Sequence, residues 1–378
     1  MSIAQELIDK IVGYLGLLPF APNFRAPTQR IIFRSLKLKL HETGYSYFPI
    51  SLIFQRTPRV ASYVHRLEIA LPEWHVGGGM DAVRKILETP TLENVEHCYR
   101  DVGTGAYFQG NSSAARLLEL SPTLLPFLFR QPLREFGLLG IRGIPIPLFL
   151  ELLTAAPSFY VENSHIERGE DATTVLPPPN GRTLERLRLH PNFAEMSQLL
   201  LLTQLSSFTA ELRSLSISPD QEHNRTLITS VRHTLQHITF HSLKRHTFFV
   251  PNLPPLCSVE FLLDDRYATY RLFSESFAGF LPGPNSSPDL SVVIFTFPGP
   301  TWAEHSFPVY LLRRADARLA AHPNLPCIIW KLFHVKEEHA AQLADFVTLV
   351  QDGMPLAHAS GKLVIETFED WRALVLGE

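Results

Sequence analysis

A six-residue phrase with apolar residues at its first, fourth and sixth positions returns along most of the chain. It reads "VHRLEI" from Val64, "LENVEH" from Leu92, "LREFGL" from Leu133, "LERLRL" from Leu184, "LRSLSI" from Leu212, "LQHITF" from Leu235, "LCSVEF" from Leu256 and, more loosely, "LSVVIF" from Leu290. In an extended strand the fourth and sixth positions share one face and the third and fifth share the other. Each phrase therefore predicts a short strand with one packed face and one free face. The second copy is imperfect, because His97 holds an apolar slot.

Between the phrases lie segments with helical spacing: "MDAVRKILET", "SAARLLEL", "PLFLELLTAA", "AEMSQLLLL", "NRTLITSVRHT" and "YRLFSESFAGFL". Short strands alternating with helices at intervals of roughly 22 to 50 residues predict an α/β solenoid of the leucine-rich-repeat type. The long intervals are accounted for by Gly-, Pro- and Ser-rich connectors such as "VGTGAYFQGNSS", "ERGEDATTVLPPPNGR" and "FLPGPNSSPD". Strands buried on both faces of an ordinary parallel α/β sheet are continuously apolar, whereas these carry polar residues at third and fifth positions. Near the end, "LPCIIWKLFHV" predicts a buried strand, "KEEHAAQLADFVTLVQDG" a helix stopped by Gly353 and Pro355, and "KLVIETF" with "EDWRALVL" a closing strand and helix that cap the apolar stack. The expected organisation is an N-terminal helix and junction over 1–40, a solenoid over 41–333 and a cap over 334–378.

With 45% hydrophobic and 19% charged residues the chain has the apolar content of a folded protein. Its net charge of -3 provides no overall basic field for phosphate backbones, so nucleic acid is not an expected partner. No apolar run approaches the ~20 residues of a membrane-spanning helix, and no basic-then-apolar leader opens the chain. The expected location is cytoplasmic or nuclear. Cys98, Cys257 and Cys327 are scattered and odd in number, as reduced core thiols are.

The opening "MSIAQELIDKIVGYLGLLPF" starts with a capping-box pattern, Ser2 with Gln5, and places Leu7, Ile8, Ile11, Val12 and Leu15 on one helical face. "AQELIDKIVGYL" resembles the start of an F-box, and "PTQRIIFRSLKLKL" resembles the junction between F-box and repeats in F-box-like leucine-rich-repeat proteins of mushroom-forming fungi. "VHRLEI" and "LERLRLHPN" are similar to that family in style across nearly the whole chain. Only "GLLPFAPNFRA" stands where the family has one or two further helices, so the F-box is truncated. The resemblance implies a substrate receptor of a Skp–cullin–F-box ubiquitin ligase. Leu7, Ile8, Ile11 and Leu15 are then the adaptor-binding residues, with Ile31 and Phe33 packing at the junction. The same first helix also fits a simple N-terminal cap on the solenoid.

No enzyme signature accompanies this pattern. The sixteen histidines show no zinc spacing, the Gly-rich "VGGGM" and "GTGAYFQG" lack GK[ST], and no G-x-S-x-G elbow occurs. Neither a cofactor nor a metal is expected. The expected function is recognition of a target protein through the free strand face. Arg186, Arg188, His190, His237, Thr239 and His241 are the candidate contacts, because guanidinium groups suit an acidic or phosphorylated segment. The alternatives are a stand-alone interaction scaffold that no longer binds the Skp adaptor and, without sequence support, an unrecognised enzyme.

Overall fold

The computed structural model describes residues 29–38, 40–41, 44–45, 47–70, 79–101, 112–167, 183–189, 194–202, 205–219, 222–241, 252–263, 281–297, 302, 308–333 and 340–368. The chain divides into two compact units, one over Met1–Tyr160 and one over Thr183–Glu378, with the intervening residues divided between them. The expected solenoid of 41–333 is thus apportioned between two units, and the change falls around the "ERGEDATTVLPPPNGR" connector.

Among the described residues, the strands of the first unit are β1 (Ser35–Leu38), β2 (Arg66–Ala70), β3 (His97–Asp101), β4 (Glu135–Leu139) and β5 (Ser158–Glu162), whose last two residues belong to the second unit. Those of the second are β6 (Arg186–Leu189), β7 (Ser214–Ile217), β8 (His237–His241), β9 (Ser258–Leu262), β10 (Val292–Phe297), β11 (Cys327–Phe333) and β12 (Leu363–Phe368). Within each unit the strands lie in chain order and are joined through parallel pairing, an open and solenoid-like α/β arrangement. A short antiparallel pair, Leu40–His41 with Gly44–Tyr45, follows β1.

In-register pairing turns the repeated phrase into rungs. In the first unit Leu36, Leu67, Cys98 and Phe136 are successive partners and all are buried. In the second, Ile217, Phe240, Phe261, Phe295 and Trp330 form an aromatic-rich rung. Ring centroids along it lie 5.8, 5.5 and 4.6 Å apart. Burying each such ring contributes about 1.5–3 kcal/mol, and each ring pair adds about 0.5–1.5 kcal/mol.

Helices connect the strands: α1 (Tyr47–Arg56), α2 (Gly79–Leu87), α3 (Ser112–Arg130) and α4 (Ile146–Leu153) in the first unit, and α5 (Ala194–Leu200), α6 (Ser206–Thr209), α7 (Glu222–Ser230), α8 (Val309–Ala320), α9 (Ala340–Gly353) and α10 (Pro355–Ala359) in the second. In α2, Met80, Val83, Ile86 and Leu87 are buried while Asp81 and Arg84 pair outside at 2.9 Å, an amphipathic division. The "SAARLLEL" helix runs on through Pro122 and Pro126. Pro122 cannot donate to the carbonyl of Leu118, four residues back, and the Ser121 hydroxyl donates to that oxygen instead, at 2.8 Å.

Buried polar side chains hold the turns. Gln131, 1% exposed, accepts from the Val95 N–H at 3.1 Å and donates to the Leu92 carbonyl at 2.7 Å, satisfying the loop before β3. Asp316 of α8, also 1% exposed, accepts the backbone N–H groups of Leu356 and Ala357 at 2.7 and 3.0 Å and so caps α10.

Several expectations are corrected. "LENVEH" is three residues early: Cys98 and Arg100 pair with Leu67 and Ile69, so the phrase aligned with its neighbours begins at Val95. Buried Leu92 and Val95 mimic its spacing from within the preceding loop. Phe33 packs as expected, but Ile31 is 77% exposed, because in the helical turn over 29–33 buried Gln29 and Phe33 share a side and Ile31 falls opposite. The helix does end at Gly353 with Pro355 just beyond it, as expected, but Gly353 does not stop it by a left-handed conformation, since only Gly140, Gly143 and Gly361 have positive φ among the described glycines. A Cβ at Gly353 lies 2.6 Å from the Leu312 side chain, so close helix approach requires the glycine. The helices "YRLFSESFAGFL" and "EDWRALVL" fall outside the described residues, except Leu281 of the former.

The Asp316→Ala variant loses two charge-assisted hydrogen bonds and bares two helix N–H groups, which costs roughly 2–3 kcal/mol. Urea unfolding followed by tryptophan fluorescence should show this loss, and unchanged stability would refute the capping role.

Candidate functional site

The strand face opposite the buried rungs differs between the units. In the first, charges compensate one another: Lys37 of β1 pairs with Glu68 of β2, Glu96 meets His65 at 3.3 Å and Arg134 at 3.2 Å, and His97 lies 3.8 Å from Glu135. The Arg66 guanidinium lies over the Tyr99 ring at 5.1 Å. Gly137 of β4 leaves room for Tyr99 and Tyr160, both buried; a Cβ there would stand 2.6 Å from Tyr99 Cδ1. This face is largely satisfied by its own side chains.

In the second unit the outward residues form two long register rows. One runs Arg186, Ser214, His237, Ser258, Val292 and Cys327; the other runs Arg188, Ser216, Thr239, Glu260, Ile294, Ile329 and Val364. Arg186 and His237 are exposed and the others half-buried. Polar cross-strand bonds occupy the middle. His237 Nδ1 lies 2.8 Å from Ser258 Oγ, and the Thr239 and Thr296 hydroxyls donate to the two oxygens of Glu260 at 3.1 and 2.6 Å. Beyond β9 both rows turn aliphatic, and Phe333 and Phe368 stack edge to face at 5.8 Å at the β11–β12 end.

Of the residues expected to contact a target, Arg186, Arg188, His237 and Thr239 share this face across β6 to β8. His241 is 4% exposed and lies with Nε2 3.2 Å from Ser216 Oγ, which withdraws it from a partner's reach. It follows Phe240 at the strand end, where β8 and β9 still pair. His190 lies outside the described residues, as do Leu7, Ile8, Ile11 and Leu15. The aliphatic outward positions Val292, Ile294, Ile329 and Val364 were not anticipated. Their signal is present in "LSVVIF", "CIIWKLF" and "KLVIETF", where third- and fifth-type positions are apolar, but a strand apolar on both faces resembles one buried on both.

Elsewhere in this unit, a groove of about 390 Å³ is lined by Leu343, Val347 and Gln351 of α9 and by Leu363, Ile365 and Thr367 on the core-facing side of β12. Among the described residues no group of three or more His, Cys, Asp or Glu side chains is placed to hold a metal ion, and no helix is long and apolar enough to cross a membrane. Comparison with protein-family models and with curated protein sequences gives no match.

Partial burial, and then the positive charge of Arg186, hold the His237 imidazole below its ordinary pKa. The unfolded chain therefore takes up this proton first as the pH falls, so protonation of the site works against the native state through the window below the ordinary histidine pKa and has no effect above it. Removing the charge in Arg186→Gln should move the His237 titration, followed by NMR, upward toward the ordinary value. A midpoint that stays in place would show that the two side chains do not interact.

Proposed function

We propose that the chain is a non-enzymatic protein-interaction module, a leucine-rich-repeat-like solenoid resembling the substrate receptor of a Skp–cullin–F-box ubiquitin ligase. The observation that carries this reading is the outward face of β6 to β12, where two register rows of half-exposed or exposed side chains lie side by side on adjacent parallel strands. A continuous array of that kind suits an extended contact with a macromolecule better than enclosure of a small substrate. The receptor would recognise and position its target, and a partner ligase would supply the chemistry.

The link to ubiquitin ligation rests on the resemblance of the N-terminal segment to an F-box, with Leu7, Ile8, Ile11 and Leu15 contacting the adaptor.

Calorimetry of the full chain with a fungal Skp adaptor tests the reading. The expected result is a micromolar or tighter complex, about -8 kcal/mol or better, that the Leu7→Asp/Ile11→Asp variant abolishes. No binding by a well-folded chain would instead favour the stand-alone scaffold.

A further inference from the structure

β12 ends the strand series of the second unit, and among the described residues it pairs on one side only, with β11. An edge strand presents unpaired backbone N–H and C=O groups, which folds commonly blunt with a proline, a bulge or a covering element. β12 contains no proline, and its register with β11 runs unbroken from Leu363 to Phe368. The core is unfinished here. On the core-facing side Leu363 and Ile365 are half-buried and Thr367 is exposed, whereas their β11 partners Ile328, Trp330 and Leu332 are fully buried. The groove between β12 and α9 lies along these same residues.

The Lys362 carbonyl accepts the Ile328 N–H at 2.7 Å, so the backbone groups of Lys362, Val364 and Glu366 point toward β11. Those of Leu363, Ile365 and Thr367 therefore point to the open edge. On the outward face, Lys362 and Glu366 are both exposed and stand at equal distances in sequence from half-buried Val364. Among the described residues neither forms an ion pair, although Lys331 of β11 is the register partner of Glu366. A strand with opposite charges placed symmetrically about one residue is complementary to its own reversed copy.

We propose that β12 is a homodimer interface, at which the edges of two copies pair antiparallel about a two-fold axis through Val364 and continue the sheet from one chain into the other. Lys362 of each copy then stands opposite Glu366 of the second copy in a non-hydrogen-bonded pair, the kind in which side chains approach most closely, with Cα atoms about 4.5 Å apart. Lys331, Glu366 and the second copy's Lys362 form a row of alternating charge. Leu363 of one copy and Ile365 of the other exchange hydrogen bonds through the backbone groups that β11 leaves unused. Other registers lose this match. An axis at Lys362 or Glu366 opposes like charges, and an axis at Leu363 or Ile365 leaves neither charge facing its opposite. Because the axis is perpendicular to the sheet, both core faces stay on one side and the two grooves meet, so Leu343, Val347 and Ile365 of each copy cover those of the other. Charge complementarity and the unfinished core commit the occupant to a second copy of this chain.

Sedimentation equilibrium of the purified full chain tests this without adaptor or target, so the outcome stands apart from the ligase reading. The expected result is a monomer–dimer equilibrium with a micromolar or tighter dissociation constant. Lys362→Glu and Glu366→Lys should each weaken it at least about tenfold, because each turns two opposite-charge pairs into like-charge pairs. The double variant Lys362→Glu/Glu366→Lys, with both charges exchanged, should dimerise again. An equimolar mixture of the two single variants should form a heterodimer, a result that misfolded chains could not give. Amide hydrogen exchange at Leu363 and Ile365 should slow as protein concentration rises. A chain that stays monomeric would overturn the proposal and leave the edge to the residues that follow Phe368 or to a different partner. A dimer indifferent to the single variants, a mixture that fails to associate, or exchange at Leu363 and Ile365 that ignores concentration would overturn it equally.

Discussion

Everything in each unit depends on parallel strands meeting in register. Side chains alternate along a strand with a period of two, so a slip of one residue between neighbours would exchange the core face for the solvent face. Such a slip at β9 would drive Glu260 into the rung that now holds Phe240, Phe261 and Phe295. The cost of burying that carboxylate among aromatic rings makes one register far more stable than its neighbours. The same constraint that builds the aromatic rung thus aligns Arg186 with Ser214 and His237, and Glu260 with Thr239 and Ile294, on the other side. Packing and surface chemistry are two faces of one pairing.

Register fixes the strands but not the connections, and these are held by individual polar side chains. The loop before β3 depends on Gln131, the carbonyl freed by Pro122 on Ser121, and the start of α10 on Asp316. Thr234 likewise donates to the Leu212 carbonyl at 2.9 Å, tying the turn before β8 to the one before β7. Asn224 accepts from the Ser197 hydroxyl and donates to the Ser218 carbonyl at 2.6 Å. Each anchor is local, so connections of different length coexist with a regular ladder. His237 and Ser258 are 21 residues apart, and His65 and Glu96 are 31 apart.

Much of the strand layout was legible in the leucine spacing, because Leu187, Leu215, Ile238, Val259 and Val293 sit at the fourth position of their phrases and all are buried. The face carrying Arg186, Arg188, His237 and Thr239 followed from the same alternation. β5 was not singled out: "SFYVE" has no leucine and does not repeat the spacing of the phrase, although Pro157 stands directly before it. Nor were α1 and α8 singled out, since their apolar residues overlap other patterns. The run of α3 through two prolines needs a side-chain donor at Ser121, which spacing does not reveal. The aliphatic outward rows escaped notice for a related reason. Periodicity identifies a packed face by contrast with a polar one, and β10 and β11 offer little contrast.

The contact of Gly353 with Leu312 has a meaning beyond packing. Two helices, α8 and α9, meet where a Cβ on one would stand 2.6 Å from the Leu312 side chain of the other. Neither position is free to change alone: an alanine at 353 requires a smaller neighbour at 312, and a larger side chain at 312 is tolerated only while 353 stays bare. In descendants of this chain the two sites should drift as a pair, so that the history of one is recorded in the other.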